Sequence, residues 1–136
     1  MASMHFNDRY YTKGEQCGKQ RGLKQKKNDV TCPMQYTMNK IAGKWKLVIL
    51  WHIYDKEIIR YGELKRCLNN ITHKMLSNQL KALVSDNIVH KKMYHQIPPK
   101  VEYSLTEHGK TLIPIMDIMF EWGAKNRKSE EVLNKK

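Results

Sequence analysis

Cysteines and long apolar runs are scarce in this chain of 136 residues. The three cysteines, Cys17, Cys32 and Cys67, include no CxxC pair, which argues against a disulfide scaffold and against a closed zinc site. The longest purely apolar stretch, from Leu47 to Trp51, is far shorter than the roughly 18–20 residues that a membrane span requires. Because the first thirty residues contain no apolar signal region, we predict a cytoplasmic protein that does not enter the membrane.

The sequence also lacks the short motifs that mark common enzymes. It contains no GxGxxG or GxxxxGK[ST] phosphate loop, no HExxH and no GxSxG. Six histidines and three cysteines leave a Cys–His nucleophile pair as an alternative, but no third catalytic group is suggested by their spacing. We therefore predict a protein that is not an enzyme and that holds neither a metal ion nor a cofactor.

Acidic residues are few, and the excess of basic residues is large. Lys and Arg number 25 against 13 Asp and Glu, which gives a net charge of +12. Residues 32–105 carry twelve basic and five acidic side chains, whereas the chain from residue 106 onwards is nearly neutral. Such a balance indicates a polyanionic partner, either nucleic acid or an acidic membrane surface, and does not distinguish between them.

Composition and periodicity divide the chain into three parts. Residues 1–30 are rich in Gly, Lys, Gln and Asn and are predicted to form a flexible basic arm. Residues 31–127 are predicted to form the folded domain, and residues 128–136 a C-terminal tail. The domain is expected to be α+β and mostly helical. The predicted elements are a helical segment 34–54 that breaks near Gly43, a turn 55–57, a short strand 58–60, a helix 62–68, a helix that follows Thr72, strands 88–95 and 101–105, and a last helix 107–126 with a kink expected at Pro114.

Two short helices joined by a tight turn and followed by a β-hairpin have the layout of a winged helix-turn-helix. The second helix is predicted to bury Leu76, Leu80 and Leu83 on one face. The major groove of DNA admits one helix, and amide and cationic side chains match the acceptors and donors on base edges and phosphates. The candidate DNA-binding residues of this helix are Thr72, His73, Lys74, Ser77, Asn78 and Lys81.

The hairpin is predicted to act as a wing that lies along the DNA backbone. Two consecutive prolines, Pro98 and Pro99, cannot lie inside a strand ladder, so they are expected to form a stiff tip. The candidate wing contacts are Lys91, Lys92 and Lys100, with Lys100 reaching towards the minor groove.

The last helix is apolar on nearly its whole circumference. A domain of this size covers one face of such a helix, and a second subunit is expected to cover the other. The sequence therefore predicts a homodimer through dimerisation helices, with Leu112, Ile115, Met116, Met119 and Trp122 at the interface.

Several blocks of residues make a specific resemblance. They are Cys32-Pro-Met, Ile41-Ala-Gly-Lys-Trp45, Leu64, Thr72-His-Lys-Met-Leu76, Pro98-Pro-Lys-Val-Glu-Tyr103-Ser-Leu-Thr106, Pro114 and Trp122-Gly123. With these blocks, residues 31–125 resemble the HxlR family of bacterial transcription regulators, which are MarR-like winged-helix proteins. The resemblance implies a homodimer that binds a pseudo-palindromic operator, with interface helices near both termini.

The chain departs from the family pattern at two positions. The family usually has Arg where this chain has Lys100, and an ammonium group lacks the bidentate fork of a guanidinium. The turn before the first short strand usually contains Gly, and Asp55-Lys56-Glu57 stands there in this chain.

The resemblance also implies a role for cysteine. Some family members sense oxidants or electrophiles through a Cys just before the N-terminal Pro, which corresponds to Cys32. A helix N-terminus at Pro33 stabilises a thiolate, which is the reactive form. Cys67 of the other subunit is a candidate disulfide partner if the two Cα atoms lie within roughly 4.4–6.8 Å.

Two other kinds of function stay open. One is a regulator gated by a small molecule, with an effector pocket at the dimer interface lined by Trp45, Trp51, Tyr54 and Trp122, although core packing also explains these aromatics. The other is a non-specific basic module that binds nucleic acid. An RNA-binding module is disfavoured because no strand carries the aromatic pattern of an RNP motif.

Overall fold

The computed structural model describes residues 32–134, so the predicted arm at residues 1–30, including Cys17, lies outside the described part. The chain divides into one unit that ends at Ala42 and a second that begins at Gly43. The first unit contributes helix α1, and the second contributes all other elements. In chain order these are α1 Pro33–Ile41, α2 Lys46–Lys56, β1 Ile58–Arg60, α3 Tyr61–Cys67, α4 His73–Ser85, β2 Val89–Tyr94, β3 Lys100–Leu105, α5 Glu107–Lys110 and α6 Ile113–Asn134.

Local chemistry explains where the first helices begin and end. Pro33 is the first residue of α1, a position where its missing N–H removes no helical hydrogen bond. Gly43 has a φ of 116°, a backbone conformation that residues with a side chain rarely adopt. The predicted break between two helices is confirmed at this residue. Helix α2 extends to Lys56, beyond the predicted end, and Glu57 takes a φ of 62°. Glu57 thus adopts a backbone conformation that favours glycine. It lies in the turn where the family usually has Gly and this chain has Asp55-Lys56-Glu57.

The two helices of the helix-turn-helix are joined by a turn in which Asn70 has a φ of 72°. Asn tolerates this left-handed conformation better than most residues. The second helix begins after Thr72, as predicted, and the Thr72 hydroxyl caps it by accepting a hydrogen bond from the Met75 N–H at 3.1 Å. This bond satisfies one of the N–H groups that a helix start leaves without a partner.

The sheet has three antiparallel strands in the order β1-β3-β2. Tyr103 of the central strand β3 pairs with Ile59 of β1 on one side and with Lys91 of β2 on the other. The side chains of these three residues therefore lie on one face of the sheet. Arg60, Glu102 and Lys92 share the opposite face in the same way. The hairpin β2–β3 is the predicted wing, and its tip contains a cis peptide bond between Ile97 and Pro98.

The core of the second unit lies between α2, α3, α4 and the sheet. It is apolar throughout, and no polar or charged side chain among the described residues is fully buried. Its least exposed members are Ile49, Leu50, Ile53, Ile59, Leu64, Leu76, Leu80, Leu83 and Val89.

The C-terminal region differs from the prediction. The single helix 107–126 is two helices, because Thr111 and Leu112 separate α5 from α6. Pro114 is the second residue of α6, where proline starts a helix without breaking a hydrogen bond, so the predicted kink is wrong. Helix α6 continues to Asn134, so the residues from 128 to 134 of the predicted tail are helical.

The junction after the wing is held by Thr106 and Gly109. The Thr106 hydroxyl accepts the N–H of Gly109 at 2.9 Å and donates towards the carbonyls of Asn87 and Ile88. A Cβ added at Gly109 would collide with the carbonyl oxygen of Ile88. Only glycine therefore allows α5 to pack this closely against the start of β2.

We expect Gly109→Ala to lower the free energy of unfolding by about 1–3 kcal/mol, because overpacking against backbone atoms forces the chain to shift. Urea unfolding followed by circular dichroism measures this loss. Gly62→Ala is the matched control, since its added Cβ would meet only Arg66 Nη1 at 3.8 Å. Equal stability of the two variants would contradict the close approach at Gly109.

Candidate nucleic-acid interface

Helix α4 exposes one polar face and buries the other. Leu76, Leu80 and Leu83 point into the core at spacings of three and four residues. Lys74, Asn78 and Lys81 lie on the opposite, exposed face. The structure thus brings three of the candidate residues into one row along the helix, and their contacts with DNA stay a prediction.

His73 and Ser77 lie on a flank of α4 that contacts α3. The hydroxyl oxygen of Tyr61, the first residue of α3, lies 3.1 Å from His73 Nδ1 and 3.4 Å from Ser77 Oγ. It also lies 3.3 Å from the His73 carbonyl oxygen. The Tyr61 and His73 rings stack with centroids 6.0 Å apart. Tyr61 was not among the candidate residues, and it contacts two of the candidate DNA-binding side chains, His73 and Ser77.

The other flank of α4 also carries residues that the sequence analysis left out. Met75 is exposed, and the Gln79 amide donates to its sulfur at 3.5 Å. An apolar side chain of this kind can contact the methyl group of thymine. The residue pattern gave no signal for Met75, because one exposed methionine on a surface helix is unremarkable.

The wing lysines differ in their surroundings. Lys91 and Lys92 are exposed on β2, whereas Lys100 is the first residue of β3 and retains 24% of its side-chain exposure. Lys100 Nζ lies 2.9 Å from Glu102 Oε1 and 4.8 Å from the centre of the Tyr94 ring. Lys92 Nζ lies 4.9 Å from the same ring. Lys100 is therefore engaged with its own hairpin in the absence of DNA, and its reach towards the minor groove stays a prediction.

Glu102 is the acceptor at the centre of this cluster. The hydrogen bond from Lys100 lowers the pKa of Glu102, partial burial opposes this, and the Tyr94 hydroxyl, at 3.1 Å, lowers the pKa further. The positive charges of Lys100 and Arg60 act in the same direction. Because the pKa is lower in the folded state, this carboxylate stabilises the wing at neutral pH. The stabilisation is lost as the pH falls through the lowered pKa.

Helix α6 exposes much of its apolar surface. Ile118 and Trp122 are each 69% exposed, and Ile115 and Met119 are also exposed. Met116 is only 3% exposed and belongs to the core of the second unit, so its predicted place at the dimer interface is wrong. Leu112 packs against the same core from one turn earlier. The helical spacing of four residues turns both side chains inwards.

A small apolar cavity lies between α2 and α6. Its volume is about 210 Å³, and it is lined by Leu47, Val48, Trp51, Met116, Met119 and Phe120. Trp51 and Phe120 both line the cavity, and their rings stack on each other with ring centroids 4.7 Å apart. Of the four aromatics proposed for an effector pocket, only Trp51 lines it. The volume is below the roughly 300–1,000 Å³ of typical ligand pockets, and an effector pocket at a dimer interface stays a prediction.

The two described cysteines lie at helix ends. Cys32 is the half-buried N-cap residue of α1, and its carbonyl accepts the Tyr36 N–H at 2.9 Å. Cys67 is the last residue of α3 and is exposed. The predicted position of Cys32 at a helix start is confirmed.

Residues 32–134 contain neither a cluster of metal-binding side chains nor a helix that could span a membrane. Nowhere in this part of the chain do three or more His, Cys, Asp or Glu side chains gather as a metal site would require. Its helices are likewise too short or too polar to cross a membrane.

Comparison with known proteins gives consistent matches. The family model described as HxlR-like helix-turn-helix matches residues 40–131. A protein named as the regulatory protein MalR, from Fusobacterium mortiferum, is 52% identical over 102 residues, which are 75% of this chain and 96% of MalR.

Solved structures of winged helix-turn-helix regulators are similar as well. The redox regulator HypR in its reduced form is 48% identical with a TM-score of 0.69, over 74% of this chain and 99% of HypR. Its oxidised form is 49% identical with a TM-score of 0.66, over 69% and 96%. The reduced transcriptional regulator YodB from Bacillus subtilis is 30% identical with a TM-score of 0.59, over 68% and 90%. All of these relatives are named as regulators.

The Glu102 cluster gives a prediction about pH. Lys100→Met should raise the pKa of Glu102 towards its ordinary value of 4.5, because the largest cause of its lowering is removed. Titration of the Glu102 side-chain carboxyl by carbon NMR measures the pKa. Lys91→Met is the control, because Lys91 lies on the other face of the hairpin and should leave this pKa unchanged. An unchanged pKa in Lys100→Met would contradict the ion pair.

Proposed function

This chain belongs to the HxlR-like helix-turn-helix family of transcriptional regulators, and on that premise we propose that it binds a pseudo-palindromic operator as a homodimer and responds to oxidants through Cys32. The observation that carries the DNA-binding part is the orientation of α4. The three buried leucines of α4 pack its inner face against the core, and Lys74, Asn78 and Lys81 form a row on its outer face. This row has the length and chemistry to read base edges in a major groove.

The surface of α6 supports the homodimer. Its exposed apolar residues include Ile118, Trp122, Val132 and Leu133, each more than 60% exposed. Monomeric proteins rarely leave such a large apolar surface uncovered. A second copy related by a two-fold axis would cover it with the same residues and would place two α4 helices on one duplex. The symmetry of the dimer would then require a symmetric operator.

The position of Cys32 supports a response to oxidants. The N-terminus of α1 favours the thiolate form of this residue. Cys67 is exposed and is the candidate second thiol. In the reaction with diamide, Cys32 of one subunit and Cys67 of the other would lose two electrons and two protons to the reagent and form one disulfide. The similarity to HypR, which is named as a redox regulator, favours this proposal over a regulator that lacks thiol chemistry.

Selection of binding sites from a random duplex pool tests the proposed function. We expect enriched sequences with two inverted half-sites whose centres are about 10–10.5 base pairs apart, or a multiple of this distance. The logarithm of the affinity should fall linearly with the logarithm of the salt concentration, by about 0.9 per phosphate contact. Failure to enrich any sequence would favour the non-specific basic module.

Two variants should separate base reading from backbone contact. Asn78→Ala is expected to weaken binding to the selected duplex by about 1–3 kcal/mol and to relax the preference at one base position. Lys91→Ala should weaken binding to all sequences alike and make the salt dependence shallower by about one unit. Lys100→Ala is the comparison variant and should have a smaller effect on the salt dependence, because Glu102 already pairs with Lys100. Uniform effects of all three would contradict the proposed reading face.

Treatment with diamide tests the role of Cys32. Wild-type protein should change its affinity for the selected duplex and form a covalent dimer that a reducing agent reverses. Cys32→Ser should bind the duplex normally and show neither response, since the reactive thiolate is absent. Cys17→Ser is the control and should respond like the wild type. An equal response of wild type and Cys32→Ser would show that Cys32 is not the sensor.

A further inference from the structure

The contact between Tyr61 and the start of α4 concerns a single hydroxyl group with three neighbours. His73 Nδ1 is the nearest at 3.1 Å, followed by the His73 carbonyl oxygen at 3.3 Å and Ser77 Oγ at 3.4 Å. A phenol has one hydrogen to donate and can accept further hydrogen bonds. The three neighbours therefore cannot all be acceptors of the same hydrogen, and the arrangement must divide the roles.

The chemistry of the three neighbours determines that division. The His73 carbonyl follows that of Thr72, the first acceptor in the ladder of α4, and it lies farther from the Tyr61 oxygen than Nδ1 does. Ser77 Oγ carries its own hydrogen and can donate it to the Tyr61 oxygen. A neutral imidazole nitrogen without a hydrogen needs a donor, and Nδ1 is the closest atom. Two assignments satisfy these groups. In one, Nδ1–H donates to the Tyr61 oxygen and Tyr61 donates to the His73 carbonyl. The shorter distance to Nδ1 favours the other, in which Tyr61 donates to Nδ1 and accepts from Ser77.

This assignment fixes the state of the other ring nitrogen. In a neutral imidazole only one nitrogen carries a hydrogen, so an accepting Nδ1 leaves the hydrogen on Nε2. His73 is exposed, and Nε2 has no hydrogen-bond partner among residues 32–134. The opposite tautomer would present a bare lone pair, which phosphate oxygens and the O6 and N7 atoms of guanine would repel because they too are acceptors.

We propose that Tyr61 is a positioning residue that holds the His73 ring with Nδ1 inwards and Nε2–H outwards, so that His73 donates a hydrogen bond to an acceptor atom of the DNA. The proposal rests on the proposed function and adds to it a specific role for one residue of α3. The ring stacking of Tyr61 on His73 limits rotation of the imidazole and reinforces the same orientation. Tyr61 acts through His73 and does not itself contact the DNA.

The test is a double-mutant cycle on the duplex selected by the wild-type protein. Tyr61→Phe keeps the ring and removes the hydroxyl, and it should weaken binding about 3- to 10-fold, the loss expected for one hydrogen bond. His73→Gln keeps an N–H donor at the end of the side chain but does not depend on the Tyr61 hydroxyl. In the His73→Gln background, Tyr61→Phe should therefore change the affinity less than twofold. An equal loss in both backgrounds would show that Tyr61 only supports the packing of α3 on α4 and would overturn the proposal.

Two further arms complete the experiment. Tyr54→Phe, which alters a half-buried tyrosine of α2 away from this contact, should bind like the wild type. An unrelated duplex identifies the acceptor, because an equal loss on both duplexes indicates a phosphate oxygen and a loss confined to the selected duplex indicates a base edge.

The tautomer of His73 is measured in the free protein by nitrogen NMR of the ring. Hydrogen on Nε2 supports the inference, and hydrogen on Nδ1 overturns it. This measurement needs no DNA, so it separates the inference from the proposed function. A wild-type protein that binds no duplex would contradict the function, while the ring nitrogens would still report on the role of Tyr61.

Discussion

Burial of one face of α4 is the constraint on which the rest of the molecule depends. Leu76, Leu80 and Leu83 are almost completely removed from solvent, and burial of each such side chain contributes roughly 1.5–3 kcal/mol relative to exposure. Because the helix is rigid, burial of this face also determines the direction in which the opposite face points. The row of Lys74, Asn78 and Lys81 is therefore presented to solvent by packing alone, and none of the three side chains makes a hydrogen bond or ion pair with residues 32–134.

Polar contacts refine what packing establishes. The Tyr61 hydroxyl lies within hydrogen-bonding distance of His73 and Ser77 at the start of α4. The Thr106 hydroxyl and Gly109 bind the end of the wing to the turn after α4. The first contact joins α3 to the start of α4, and the second joins the end of the wing to the turn after α4.

The wing illustrates how net charge and available charge differ. The chain has an excess of twelve positive charges, but Lys100 is neutralised by Glu102 and lies against Tyr94 together with Lys92. A count of basic residues treats these lysines as equal. Among the three wing lysines, Lys91 is the one whose charge interacts least with neighbouring side chains of the described residues.

The sequence by itself determined the features that depend on neighbours along the chain. Pro33, Gly43, Thr72 and Thr106 act on the backbone within a few residues, so the helix starts and the break between α1 and α2 were predictable. The alternation of strand residues and the spacing of the leucines likewise indicated the hairpin and the outward face of α4. Only the tertiary structure decided that Tyr61 meets His73 twelve residues away, and that Met116 turns into the core. These outcomes depend on distances between separate elements, and no local pattern encodes such distances.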